Sequence, residues 1–112
     1  MGAWRHKIQL NWRHISGDPS CSPLNAIISI CHSNIAQIKI QEERYEDGIE
    51  ECIKAIENDD TNVKAWFRRG LCYYKTDEYL KSLGDFLKAK ELEPKNKIIF
   101  NWIEKTKISF VG

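Results

Sequence analysis

Residues Val63–Asn96 read VKAWFRRGLCYYKTDEYLKSLGDFLKAKELEPKN, and the pattern of this stretch decides the fold. It divides at Thr76–Asp77 into two amphipathic halves, each about four helical turns long. The first half places Trp66, Gly70 and Tyr73 at steps of four and three. The second places Tyr79, Ser82, Leu83, Phe86 and Ala89 at steps of three and four. Each half carries one apolar stripe, and the residues between them are polar. The pattern predicts a helix hairpin whose two stripes face each other.

The same grammar extends in both directions. Upstream, Ser22–Pro23 is a cap and first-turn pair. It opens a predicted helix over Pro23–Gln41 with Ile27, Ile30, Cys31, Ile35 and Ile38 as its stripe. A second predicted helix, Tyr45–Asn58, carries Tyr45, Ile49, Cys52, Ile53 and Ile56 on one side. Asn58–Asn62 is a loop of turn and capping residues, and Thr61 or Asn62 can cap the helix that begins at Val63. Downstream, Pro94 stops the fourth helix and Asn96 caps a fifth. Ile98, Ile99, Trp102, Ile103 and Thr106 share one face of that fifth helix. Residues 1–22 are an extension, either disordered or a short basic amphipathic helix. Trp4, Ile8, Trp12 and Ile15 recur in it at steps of four, four and three. Gly17, Pro19 and Pro23 mark its end as a breaker segment.

Composition narrows the function classes. A chain of 112 residues with 42% hydrophobic residues forms one small domain with a modest core. A formal charge of +1 shows no basic excess, so no nucleic-acid footprint is expected. Charge is unevenly placed: Asp18 is the single acid in residues 1–41, whereas Glu42–Asp60 holds nine acids against two bases. No apolar run approaches the ~20 residues of a membrane span, so no membrane partner is expected. The cysteines at 21, 31, 52 and 72 form no CxxC and no metal-spaced pair with histidine. They read as reduced thiols of a cytoplasmic protein, with Cys52 and Cys72 acting as small apolar residues. His6, His14 and His32 are scattered, and no nucleophile–base pair or paired acids stand at catalytic spacing. Neither enzymatic activity nor a cofactor is expected.

Shifting the chain by 34 residues lays it on itself. Tyr45 meets Tyr79, Lys54 meets Lys88, Ala55 meets Ala89, Glu57 meets Glu91 and Asn62 meets Asn96. Apolar residues meet between them: Ile38 with Cys72, Ile49 with Leu83, Cys52 with Phe86 and Ile53 with Leu87. A helix-turn-helix unit of this period is the signature of the tetratricopeptide repeat. Val63–Asn96 resembles that repeat through Trp66, Gly70, Tyr73, Tyr79, Phe86, Ala89 and Pro94, with Ser82 for the usual Ala and Arg69 for a large aliphatic. Residues 29–62 resemble a more degenerate copy that keeps Ala36, Tyr45 and Ala55. The resemblance implies an all-α superhelix over residues 23–112. It would comprise two repeats, 29–62 and 63–96, and a capping helix over 97–110.

Such arrays are binding scaffolds with a concave groove lined by the first helix of each repeat. Lys64 and Arg68 are four apart and share a helix face, and Arg69 adds a third cation beside them. Like charges at that spacing cost a few tenths of a kcal/mol, which points to an anionic ligand. VKAWFRRG also resembles the third repeat of carboxylate-clamp tetratricopeptide domains, in which a Lys and an Arg hold acidic peptide termini. HSNIAQ resembles the start of their second repeat, in which an Asn touches the terminal carboxylate. The resemblance implies Asn34, Lys64 and Arg68 as peptide-binding residues. It implies as partner the Glu-Glu-Val-Asp carboxyl terminus of heat-shock chaperones of the seventy- and ninety-kilodalton classes. Residues 1–28 show no counterpart of the family's first repeat, which supplies two further clamp residues. The alternative expectation is an assembly scaffold without a working clamp, docking or forming homo-oligomers through apolar helix faces.

Overall fold

The computed structural model describes residues 22–112; the Trp4–Ile15 stripe, Cys21 and the rest of the extension lie outside the described residues. The described residues form five helices: α1 (Pro23–Gln41), α2 (Tyr45–Asn58), α3 (Val63–Lys75), α4 (Tyr79–Leu92) and α5 (Lys97–Val111). No strand occurs among them. The architecture is all-α, as the periodicity predicts.

Local chemistry sets the ends of these helices. The Ser22 hydroxyl accepts from the Asn25 N–H at 3.1 Å, and Pro23 follows where its missing N–H costs nothing. Asn62 caps α3 by accepting from Ala65 N–H at 3.2 Å. Thirty-four positions later, Asn96 caps α5 by accepting from the N–H groups of Ile98 and Ile99 at 2.9 and 3.3 Å. The two hairpin loops are also copies. Glu43 and Asp77, again 34 apart, both adopt the left-handed conformation, with φ of 59° and 63°. Each closes a Schellman motif: Arg44 N–H donates to Lys39 carbonyl, and Glu78 N–H to Tyr73 carbonyl, both at 2.8 Å.

The hairpins α1–α2 and α3–α4 stack in order, α2 packs on α3, and α5 covers α4. The first helices, α1 and α3, also touch each other along one side, which makes the groove wall. Phe86, Ala89, Ile99 and Ile103 are the buried centre, flanked by Val63, Phe67, Leu71, Leu83 and Trp102. The Phe86 ring lies 5.4 Å from Phe67 and 5.9 Å from Trp102. Burying a side chain of that size contributes about 1.5–3 kcal/mol. Gly70 lets α3 approach this ring, because a Cβ there would stand 2.7 Å from it.

Two stripe expectations need correction. On α1 the buried residues are Ser29, Ser33 and Ala36, whereas Ile27, Ile30 and Ile38 are 58%, 55% and 52% exposed. Cys31 and Ile35 are exposed as well. The reason is close packing on small residues: the Ser29 hydroxyl donates to the Ala55 carbonyl at 2.6 Å, which brings α2 onto the serine face. Ile27, Ile30, Ile35 and Ile38 are therefore left exposed. On α5, Ile99, Ile103 and Thr106 are buried, but Ile98 is exposed.

Candidate peptide-binding groove

A cleft of about 410 Å³ lies where α1, the α2–α3 loop and the start of α3 meet. Its wall includes Ile30, Ser33 and Asn34 from α1, Asn62 and Lys64 from α3's first turn, and Glu93. Asn62 holds the floor together. Its side-chain carbonyl caps α3, while its amide donates to Ser29 Oγ on α1 at 2.9 Å. Ser29 passes the link on to α2 through Ala55. One capping residue thus fixes the spacing between the two groove helices.

The three sequence-predicted residues fall in two situations. Asn34 and Lys64 line the cleft directly, and both are exposed. Lys64 forms no ion pair among the described residues, so its ammonium is available to an incoming anion. Arg68, one turn further along α3, is half-buried and reaches across to α1. Its Nη1 donates to the Ser33 carbonyl at 2.7 Å and to Ser33 Oγ at 2.9 Å. Burial lowers its pKa from the ordinary arginine value, but an arginine remains a cation under such a shift. Of its five N–H donors, those on Nε and Nη2 stay uncommitted among the described residues. Arg68 therefore backs the cleft wall through Ser33.

Arg69 does not join this cluster. One residue on, it is rotated by about 100° around α3 and faces α4. Its Nε and Nη2 each donate to an Asp85 carboxylate oxygen at 2.8 Å, a bidentate pair with side chains only 20% and 6% exposed. The guanidinium also lies 5.1 Å from the Trp66 ring centroid and 5.8 Å from that of Tyr73. Burial pushes the Asp85 carboxyl up, and the Arg69 partner pulls it back. The two-acceptor geometry requires the ionised form. Arg69 can occupy a position that favours a large aliphatic because Asp85 neutralises it.

That acid is itself a repeated feature. Glu51, at the position of Asp85 one repeat earlier, accepts from His32 Nδ1 at 2.7 Å. The hydrogen bond to His32 is the main reason that the Glu51 carboxyl sits below its ordinary value. Each hairpin thus ties its two helices with one acid on the second helix. The signal was present as an acid recurring at the 34-residue shift, but it is a class match and escapes a count of identities.

Cys52 and Cys72 are fully buried free thiols, and burial pushes both up to about 12. No group of three His, Cys, Asp or Glu side chains among the described residues could hold a metal ion. No described helix is long and apolar enough to cross a membrane.

Comparison with known proteins agrees with this architecture. Residues 63–96 match the family model of the tetratricopeptide repeat. The chain carries a tetratricopeptide repeat. The first hairpin, with its matching caps and loops, is a second copy of the same unit in three dimensions. The human DnaJ homolog subfamily C member 7 is 29% identical over 92 residues, covering 82% of this chain and 18% of that protein. The chain spans less than a fifth of the length of the curated relatives it matches. Among solved structures, the first TPR of Spaghetti (RPAP3) bound to the HSP90 peptide SRMEEVD superposes with a TM-score of 0.73. It is 20% identical, with 75% of this chain and 67% of that one covered. The second TPR domain of human RPAP3, in complex with the HSP70 peptide SGPTIEEVD, gives 0.68 at 26% identity, covering 85% and 73%.

Proposed function

We propose that this chain is a protein-interaction module that captures the acidic carboxyl terminus of heat-shock chaperones in the cleft between α1 and α3. The observation that carries the reading is the position of Lys64 and Asn34 on opposite sides of one cleft, with the Lys64 ammonium unpaired. In this reading Lys64 meets the peptide carboxylates as a mobile point charge, and Asn34 donates its side-chain amide to the terminal carboxylate. Arg68 supplies a fixed positive field behind Ser33 and offers its Nη2 donors. Similarity to TPR domains solved with peptides ending in EEVD supports the choice of ligand. The reading implies a protein of the cytoplasm, where such chaperone termini are presented.

Calorimetry with a Glu-Glu-Val-Asp-terminated peptide tests it. Lys64→Ala is the cleanest variant, because Lys64 makes no ion pair within the described fold. Loss of a hydrogen bond to a charged group costs about 1.5–3 kcal/mol, so affinity should fall roughly 10- to 150-fold. Amidating the peptide terminus should weaken binding comparably. Binding indifferent to both changes refutes the clamp. Arg68→Ala is less informative, since it also removes two bonds that hold α1 to α3.

A second reading, an assembly scaffold that docks or self-associates, is favoured by the apolar residues left exposed in the last turn of α5. Ile108, Phe110 and Val111 are 73%, 53% and 85% exposed there. Light scattering separates the two: a monomer that binds the peptide counts against the scaffold reading.

A further inference from the structure

The helices α1, α3 and α5 present one groove position in common. Ile30, Lys64 and Ile98 follow one another at steps of 34 residues on these three helices. Ile30 and Lys64 line the 410 Å³ cleft, and Lys64 and Ile98 line a second cavity of about 190 Å³ together with Phe67. The groove therefore continues past α3 onto α5. Seven residues beyond each of these positions, about two turns on and within about 20° of the same face, stand Gln37, Leu71 and Lys105. α5 thus turns a lysine toward the groove where α1 and α3 carry neutral side chains.

Lys105 is exposed, and its ammonium is held in place. It lies 4.7 Å from the Trp102 ring centroid and 5.5 Å from that of Tyr74. Those rings are fixed in turn: their centroids are 5.3 Å apart, and the Tyr74 hydroxyl is 2.7 Å from Ser109 Oγ. Lys105 forms no ion pair among the described residues. The neighbouring Glu104 does not neutralise it, because that carboxylate pairs with Lys107 at 3.3 Å. An ammonium seated on two rings keeps its outward N–H donors for an anion.

We propose that Lys105 is a second anchor for an acidic peptide, holding a carboxylate upstream of the one that Lys64 meets, a role that rests on the peptide-binding reading of the cleft. The peptide then runs from Asn34 on α1, past Lys64 on α3, to Lys105 on α5. Helix geometry sets the spacing between the two anchors. Lys105 stands at the level of Leu71, about 10 Å further along the groove than Lys64. Neighbouring helix axes are roughly 8–10 Å apart. The two lysines are therefore rooted about 14 Å from each other, a span that an extended chain covers in about four residues. The ligand class is a carboxyl-terminal peptide with two acidic sites separated by that interval. With Lys64 on one of the two glutamates of Glu-Glu-Val-Asp, the upstream acid falls about six or seven residues before the terminal aspartate.

Calorimetry on the full chain tests this, with Glu-Glu-Val-Asp-terminated peptides extended upstream by a neutral Gly/Ser tract. A single glutamate is walked through that tract one position at a time. Affinity should peak, roughly threefold above the neutral tract, with the glutamate about six or seven residues before the terminal aspartate. Lys105→Gln should remove the peak and leave binding of the neutral-tract peptide unchanged. Lys64→Ala should weaken both peptides alike. Lys105→Glu should invert the preference, so that a walked lysine gives the gain. A flat profile in the parent chain, or a peak that survives Lys105→Gln, overturns the proposal while the peptide-binding reading stands. A peak lost in Lys75→Gln instead does so too, and assigns the anchor to the end of α3. Failure of every peptide to bind the parent overturns both.

Discussion

The same substitution at two helical glycines should move stability in opposite directions. Gly84 lies within α4, is exposed, and has open space where a Cβ would go. Gly84→Ala therefore gains helix propensity and nothing opposes it, for about 0.5–1 kcal/mol of added stability. Gly70 lies within α3 and is buried. There a Cβ would stand 2.7 and 2.8 Å from two atoms of the Phe86 ring. That ring cannot slide away, because Phe67 and Trp102 hold it at 5.4 and 5.9 Å. Overpacking costs about 1–3 kcal/mol, and a ring confined on two sides puts Gly70→Ala at the upper end. After the propensity gain, a net loss of about 2 kcal/mol remains. Urea unfolding followed by far-UV circular dichroism reads both changes, and a loss of that size lowers the midpoint by about 1 M. A Gly70→Ala variant stabilised like Gly84→Ala would refute the argument, since it would mean that Phe86 does not lock α3 to α4.

Three further outcomes follow from the same geometry. Asp85→Ala strands a half-buried Arg69 and should cost about 3 kcal/mol, whereas the paired change Arg69→Met with Asp85→Leu should recover most of it; a denaturation double-mutant cycle without coupling would contradict the pairing. Glu43→Gly relieves a left-handed backbone at an exposed loop and should raise stability by roughly 1 kcal/mol, checked by the urea midpoint. The Glu51 carboxyl is held below its ordinary value in the folded state, chiefly by His32, so its contribution is present above the ordinary glutamate range and is lost as pH falls through the lowered folded value. Urea midpoints from about pH 7 to about pH 3 should therefore fall more steeply for the parent than for Glu51→Gln; identical slopes would argue against the His32 contact.

Helix existence and the hairpin period were legible because they depend on local rules. Asn62 and Asn96 cap helices wherever they precede a helical run, and Pro94 stops one regardless of what packs nearby. The candidate groove was legible only in part. Lys64 could be placed on a groove helix from spacing and Asn34 from the family resemblance, but the partners of Arg68 and Arg69 could be read from neither. Adjacent residues on a helix diverge by about 100°, and which direction meets Ser33 and which meets Asp85 depends on where α1 and α4 lie.

The amino-acid sequence alone determined that this chain is a helical repeat, since a 34-residue period of stripes, caps and breaks is written in residue types. Tertiary structure decided which faces of those helices are inside. On α1 it chose Ser29, Ser33 and Ala36 over five more apolar residues, because small side chains and a serine–carbonyl bond let α2 come close. Along α3 it chose which cation is left for a ligand. Arg69 is neutralised by Asp85, Arg68 is braced on Ser33, and Lys64 is left facing the cleft. Both choices are made by a neighbouring helix surface many residues away, and one-dimensional periodicity carries no record of it.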